Sequence, residues 1–389
     1  MLVGQDITVL GGGIGGFAAA CALAMRGARV TVLEQAADIS EVGAGLQISP
    51  NGFAVLDALG LGAAARERSV ASRAVVLADG LTGREVVRMD LARLRPAHSF
   101  LLFHRADLLA MLAERAGELG VAVVTGARVA RVEIGPEAAK LEMDGGEARD
   151  TGFLVGADGL HSVLRGALNG PRQPFFTGQV AWRALVPALG GEPAEATVWM
   201  GPGRHMVSYP LRGGSLVNLV AVEERKAWAE EGWHHEDDPG NFQRAFAQYR
   251  GAPRALIDRV EQVNIWGLFR HPVADQWHRG RAALLGDAAH PTLPFMAQGA
   301  VMALEDAWVL ADALALGGLD EGPALYQARR RHRVERVIAA ANANARNYHH
   351  ANPLARLVGF GGLRALNGLR PEALVGRFDW IYGYDVTRS

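Results

Sequence analysis

The 389-residue sequence holds a single cysteine, Cys21, so no disulfide can close within it and a cysteine-built metal site is all but excluded. A reducing cytoplasm is the compartment expected of such a chain. Lysine is scarce too: Lys140 and Lys226 stand alone, and arginine supplies the rest of the 40 basic residues. With abundant Ala and Gly, this reads as base-composition bias of a genome and carries no function. The 41 acidic residues bring the formal net charge to −1, which leaves no global positive field for a nucleic-acid backbone or an anionic membrane. Nowhere do about 18 apolar residues run uninterrupted, so no transmembrane helix is expected. The opening MLVGQDITVLGGGIGG lacks the basic and long apolar parts of a signal peptide. Internal repeats and low-complexity linkers are likewise missing.

What is present is core: 49% of the residues are hydrophobic, and the length suits two or three domains. Residues 6–10, DITVL, are β-rich and run into GGGIGG. FAAACALAMRG then has the small, apolar pattern of a buried helix ending at Gly27, and ARVTVLE reads as a second strand. Such a βαβ opening requires a parallel sheet with both faces covered. Helices are expected over 49–61 and 105–119, with short strands in VAVVTGARVARVEI, AAKLEMDG and FLVGADG.

Between about 172 and 268 the texture changes to strand-like pieces broken by Gly-Pro and Gly-Gly turns, with one helical stretch, NFQRAFAQYRGAPRALIDRV, embedded. RAALLGDAAH then restores the strand-then-Gly pattern of the beginning. The units are therefore interleaved: 1–73, 98–171 and 269–346 form a doubly wound, Rossmann-like α/β unit, 74–97 and 172–268 an inserted sheet-rich unit, and 347–389 a C-terminal packing segment. Two long helices are expected from Gly299 to about Arg346.

Gly11, Gly13 and Gly16 make G-x-G-x-x-G between a strand and a helix, and Glu34 closes the next strand twenty-three residues after Gly11. Glycines admit a pyrophosphate to the helix N-terminus, and the acid accepts hydrogen bonds from ribose hydroxyls. Tight turns explain lone glycines equally well, but strand, helix and terminal acid together define a dinucleotide site. They do not separate NAD from FAD. Two further segments do: Gly156-Ala157-Asp158-Gly159, with Ser162 and Arg165, and Gly286-Asp287-Ala288-Ala289-His290-Pro291, each after an apolar strand. With these three motifs in order, nearly the whole chain resembles the FAD-dependent aromatic hydroxylases, the group A flavoprotein monooxygenases, of the salicylate hydroxylase and 3-hydroxybenzoate 6-hydroxylase type.

The resemblance implies an FAD-binding domain and an inserted substrate domain whose sheet covers the flavin. It implies that the segment around Asp158 reaches flavin and pyridine nucleotide, that Asp287 holds the ribityl chain, and that Arg105 in FHRADLL is directed at the pyrophosphate. Each has a plainer reading: a helix-capping turn residue for the two acids, a solvated helix-start arginine for Arg105. Pro294-Phe295-Met296-Ala297-Gln298-Gly299 resembles the family's P-x-x-x-Q-G, which opens a helix under the isoalloxazine. Gln298 is then a candidate catalytic residue and Gly299 a flavin contact. Where the family often continues G-A-N or G-A-C, this chain has Gly299-Ala300-Val301.

His205, Val207 and Tyr209 share one strand face by alternation. The resemblance turns His205 toward an aromatic substrate, as the group that takes or relays a phenolic proton; a sheet histidine satisfied by backbone is the alternative. Gln47 and Tyr209 are weaker candidates for substrate contact, Gln47 near substrate or flavin, while by pattern Tyr209, like Trp182, also reads as a core aromatic. Implied cofactors are non-covalent FAD, NADH or NADPH as co-substrate, and O2, acting through a flavin C4a-hydroperoxide. The expected substrate is a small anionic phenolic aromatic, salicylate or 3-hydroxybenzoate-like. Rivals are a hydroxypyridine carboxylate or urate-type ring, or a flavin oxidase or reductase of the same fold; a flavin carrier without turnover is a further class. The expected partner is that small molecule alone, with no nucleic acid, membrane or metal, in a monomer or homodimer.

Three features are set aside. HHEDD at 234–238 has metal-ligand types, but adjacent residues converge poorly on one ion, so a solvated turn is expected. Arg329 to Arg333 reads as a solvent-facing charge network with Glu335, and His349-His350 before Asn352-Pro353 as a surface break. Cys21 should be an inert core thiol.

Overall fold

The computed structural model describes residues 1–39, 44–171, 173–225, 231 and 235–388, with backbone alone at 345–347. Strand Asp6–Leu10 lies between Arg29–Leu33 and Phe153–Gly156, parallel to both, in a six-stranded sheet whose other members are Ala122–Val124, Ala282–Leu284 and the antiparallel edge pair His278–Arg279. The crossover helix Ile14–Ala24 is buried from Phe17 to Leu23 because it is enclosed by helix Arg105–Glu118 and the long helix Gly299–Tyr348. That enclosure is why its sequence is apolar all round. Ala282–Leu284, far along the chain, completes the sheet beside Phe153–Gly156.

A second, eight-stranded sheet runs in the order His235–Asp237, Val263–Arg270, Phe175–Pro187, Leu216–Glu224, Arg204–Leu211, Glu195–Gly201, Ala74–Asp79 and Arg84–Asp90. All its pairings are antiparallel except Glu195–Gly201 with Ala74–Asp79. Alternation sorts its side chains. Trp182, Met206, Leu219 and Ala221 point to one face, where they join Phe242, Phe246 and Tyr249 in a second core. The helical stretch expected there is two short helices, Pro239–Ala245 and Ala252–Ile257, broken where Gly251 adopts φ +71°.

HHEDD also departs from expectation. His235–Asp237 pairs as an edge strand with Val263–Ile265, Asp237 accepts a hydrogen bond from Trp182 Nε1 at 2.8 Å, and Asp238 caps the helix that Pro239 begins. His234 lies outside the described residues. The two long helices form one 50-residue span, Gly299–Tyr348, interrupted at Gly318 (φ 64°, ψ −168°) and carrying Pro323 inside.

The interruption folds the second half back on the first, and this corrects the arginine cluster. Arg329 and Arg331 are partly exposed, as expected, but Arg330 is fully buried, with ion pairs of 2.6 Å to Glu305 and 2.7 Å to Asp306. Arg333 also reaches Glu305, at 2.7 Å. A guanidinium in the core stands there only because two carboxylates meet it.

After this span come helices Pro353–Leu369, Pro371–Gly376 and Asp379–Tyr382. The aromatic tail packs, with Tyr382 against Phe100 and Phe378, whereas Pro353–Leu369 exposes Leu354, Leu357 and Val358. Among the described residues no helix is long and apolar enough to cross a membrane.

Candidate active site

A cavity of about 360 Å³ opens where the glycine-rich end of the parallel sheet faces the antiparallel one. Gly11, at φ +97°, and Gly16 permit a close turn: a Cβ on Gly11 would sit 2.4 Å from the Ala157 carbonyl oxygen, and one on Gly16 1.9 Å from that of Gly11. Gly13 is different, since a Cβ there meets nothing within 4 Å and the residue lines the cavity at the start of Ile14–Ala24. That open space at a helix N-terminus is what an approaching pyrophosphate requires. Glu34 Oε2 accepts the Gly12 N–H at 2.6 Å and Oε1 the Ala36 N–H at 2.8 Å, which fixes the carboxylate beside the glycine turn.

Arg105, the first residue of Arg105–Glu118, lines the same cavity, as do Gly286, Asp287 and Gly299. The Asp287 carboxyl opens into the cavity yet is surrounded by protein. Burial pushes its pKa up, against the opposing pull of His290 and Arg105. Such a group is ready to accept hydroxyl donors. A dinucleotide with a polyol linker therefore fits the donor set present: a glycine turn and Arg105 for phosphates, Glu34 for ribose, Asp287 for the ribityl chain.

Asp158 has a different place. Its neighbours Ala157 and Gly159 line the cavity, but Asp158 Oδ2 accepts the Val163 N–H at 2.8 Å, holding the turn into helix Val163–Asn169. The capping reading suits this geometry better than a direct flavin contact. Gln298 is also turned away. Its Nε2 donates to Ser49 Oγ at 2.9 Å and its Oε1 accepts from Asn51 Nδ2 at 3.1 Å, in a buried network that continues to Glu305. Gln298 thus positions the start of the long helix, and a direct hold on substrate does not fit its placement. Val301 packs into the core toward Gly52, so the position where the resemblance implied a polar side chain is filled by apolar contact. Beside them Ala297, a non-glycine at φ 52°, lines the cavity.

The opposite wall is the antiparallel sheet. Three strands register as rows: Ala181–Val222–His205, Arg183–Val220–Val207 and Leu185–Asn218–Tyr209. His205, Val207, Tyr209, Val220, Val222 and Arg183 all line the cavity, and Gln47 joins them from strand Gly45–Ile48. That strand is held to the sheet by Gly45 N–H donating to Asn218 Oδ1 at 2.7 Å. Trp182, one residue from Arg183, faces the other way into the second core. Burial pushes the Tyr209 phenol up, so it remains a protonated donor. Arg183 was missed by motif reading; an arginine on the strand face opposite Val180 and Trp182 was the available signal.

His205 Nδ1 lies 2.7 Å from Nε2 of His349, and His349 Nδ1 lies 2.9 Å from Glu224 Oε1. His349 is therefore buried, and the expected surface break begins only at His350. The long helix ends against the Gly201–Arg204 turn, whose Gly203 N–H donates to the His349 carbonyl. Burial, reinforced by His349, holds the His205 pKa well below its ordinary value. The ring is a neutral imidazole at neutral pH, and its surroundings oppose a net positive charge there. Cys21, by contrast, is an inert thiol pushed up to about 12 by burial.

The fold and cavity define a flavoprotein, and comparison with known proteins agrees. The family model described as "FAD binding domain" matches residues 5–341. The 3-hydroxybenzoate 6-hydroxylase of Polaromonas naphthalenivorans (strain CJ2) is 37% identical, over 98% of this chain and 96% of its own. The 3-amino-4-hydroxybenzoate 2-monooxygenase PtmB3 of Streptomyces platensis is 36% identical over the same shares. The crystal structure of Klebsiella pneumoniae HpxO complexed with FAD and uric acid superposes with a TM-score of 0.82 at 26% identity, covering 95% of this chain and 97% of that one. The chain belongs to the FAD-dependent aromatic monooxygenase family.

Proposed function

We propose that this enzyme uses NAD(P)H and O2 to hydroxylate a small phenolic carboxylate, with 3-hydroxybenzoate and salicylate as the leading substrates. One observation carries the reading. The cavity wall opposite the flavin motifs is an apolar strip, Val207, Val220 and Val222, bearing one guanidinium, one neutral imidazole and one phenol at fixed registers. An aromatic ring fits the valines, Arg183 matches a ring carboxylate, and His205 or Tyr209 meets the ring hydroxyl. The two similar monooxygenases are named for hydroxybenzoate substrates, one of them amino-substituted, which supports the same class.

Bound FAD supplies the oxygen-transferring chemistry, held without a covalent bond by Gly11, Gly13, Gly16, Glu34, Arg105, Asp287 and Gly299. The chain's own work is to ionise the phenol, orient the ring at about 3–3.5 Å reacting distance and exclude water. His205 accepts the phenolic proton at Nε2, since Nδ1 is engaged with His349. A panel of salicylate, 3-hydroxybenzoate, 3-amino-4-hydroxybenzoate, 6-hydroxynicotinate and urate, followed for NADH loss and product mass, tests the reading. Hydroxylated product from a monocyclic phenolic carboxylate is the expected result; turnover confined to polycyclic phenols or to non-aromatic amines overturns it.

A further inference from the structure

His205, His349 and Glu224 form a continuous hydrogen-bonded chain from the cavity to the surface. Its inner end lines the cavity, its middle is buried, and the Glu224 carboxylate at its outer end has 56% of its side-chain surface in water. Three elements meet to build the chain: the strands Arg204–Leu211 and Leu216–Glu224 and the end of the long helix. We propose that His349 and Glu224 are a proton relay that carries the phenolic proton from His205 to bulk water and returns one when the product is re-protonated. This rests on the reading of His205 as the proton acceptor.

The transfer balances without any further reactant. In the resting tautomers His205 and His349 each carry hydrogen on Nδ1, so His205 donates to His349 Nε2 and His349 donates to Glu224. When the phenol gives its proton to His205 Nε2, the Nδ1 hydrogen moves to His349 Nε2. The Nδ1 hydrogen of His349 then moves to Glu224 Oε1, and Glu224 releases it to water. The substrate becomes phenolate, both rings stay neutral with tautomers exchanged, and one proton leaves. The reverse passage resets both rings. Neutral rings are needed, and the surroundings supply them: burial is the chief cause that lowers both histidines, with Arg204 opposing a charge on His349 and Glu224 favouring it. Tyr348 and Phe295 pack on the His205 ring and close the chain from the side.

The discriminating variant is His349→Gln, whose amide can accept from His205 and donate to Glu224 yet cannot exchange a proton between its two ends. FAD-loaded protein would be mixed with 3-hydroxybenzoate in a stopped-flow instrument, following phenolate absorbance and proton release to a pH-indicator dye. Relay predicts that His349→Gln and His349→Ala slow phenolate formation on the order of 10²-fold, within the usual range of general-base assistance. Equilibrium affinity should stay within about threefold, and added imidazole should rescue His349→Ala alone. Glu224→Gln should slow proton release to the dye while leaving FAD binding unchanged. Phenolate formation at the parental rate in folded, FAD-loaded His349→Gln overturns the relay. If His205→Ala also ionises the phenol at the parental rate, the base assignment itself has failed; if it alone is impaired, only the relay has.

Discussion

Arg183 and Asp287 show how two cavity residues of opposite charge are put to opposite uses. Arg183 stands over the Trp266 ring at 5.2 Å and faces the cavity between valines, so a substrate carboxylate there gains a charge-assisted contact of about 1.5–3 kcal/mol. Arg183→Met should therefore raise KM for 3-hydroxybenzoate about 10- to 100-fold while changing KM for an uncharged analogue such as 3-cresol by less than about threefold. Equal losses on both would place the guanidinium outside substrate recognition. Asp287 has the reverse balance. Its folded pKa is raised by burial, so the folded apoprotein binds a proton more tightly than the unfolded chain. Stability is consequently lost as pH rises through the unfolded carboxyl range and stays lower at neutral pH. Asp287→Asn should melt higher than the parent as apoprotein at pH 7 and bind FAD more weakly, since an acceptor for ribityl hydroxyls is gone. A lower apoprotein melting temperature together with parental FAD affinity would contradict both halves.

Within the long helix, the buried ions form one unit. Burial raises the Asp306 carboxyl, but His290 and Arg330 outweigh it and hold it at about 2. A depressed folded pKa contributes stability above about pH 4 that disappears as pH falls toward 2. Arg330→Met leaves Glu305 and Asp306 buried without their shared cation and should cost about 3–5 kcal/mol in urea denaturation of the loaded enzyme. Asp306→Asn should lower stability at pH 6 and flatten its decline between pH 4 and 2. A cost under about 1 kcal/mol for Arg330→Met would mean the network is solvated. These elements also mark what a sequence discloses. The glycine turn, Glu34 and the alternation of His205, Val207 and Tyr209 were legible because each depends on neighbours a few residues away. Arg330 was read as exposed because its helix pattern is polar, and its partners lie 24 and 25 residues back across the break at Gly318. His349 meets Glu224 at a separation of 125 residues, and no local pattern reports such a meeting. Gln298 carried a motif but faces Ser49 and Asn51, whereas Arg183 carried none and faces the cavity.

At the scale of the whole molecule, the cavity joins pieces that are remote in sequence. Its flavin side gathers Gly13, Arg105, Ala157, Asp287 and Gly299, and its substrate side belongs to a sheet with a core of its own. FAD bridging those segments binds the assembled fold and not the separated chain, so loading should stabilise the protein by mass action. At a free FAD concentration of 100 times Kd the gain is about 2.7 kcal/mol, and each further tenfold adds about 1.4 kcal/mol. Unfolding entropy near 2.1 cal/mol/K per residue converts these to rises in Tm of about 3 °C and about 2 °C per decade for a chain of this size. Differential scanning fluorimetry across FAD concentrations should give that logarithmic slope. Asp287→Asn should show the same slope displaced to higher FAD, because its assembled fold is intact and only its affinity has changed. Phe246→Ala, which opens the second core beneath the sheet, should lower every point of the curve without displacing it, since Phe246 lies on the face turned away from the cavity. A Tm that ignores FAD while the visible spectrum reports binding would show that the flavin is held by one local segment, and the picture of a cofactor joining distant parts of the chain would fall.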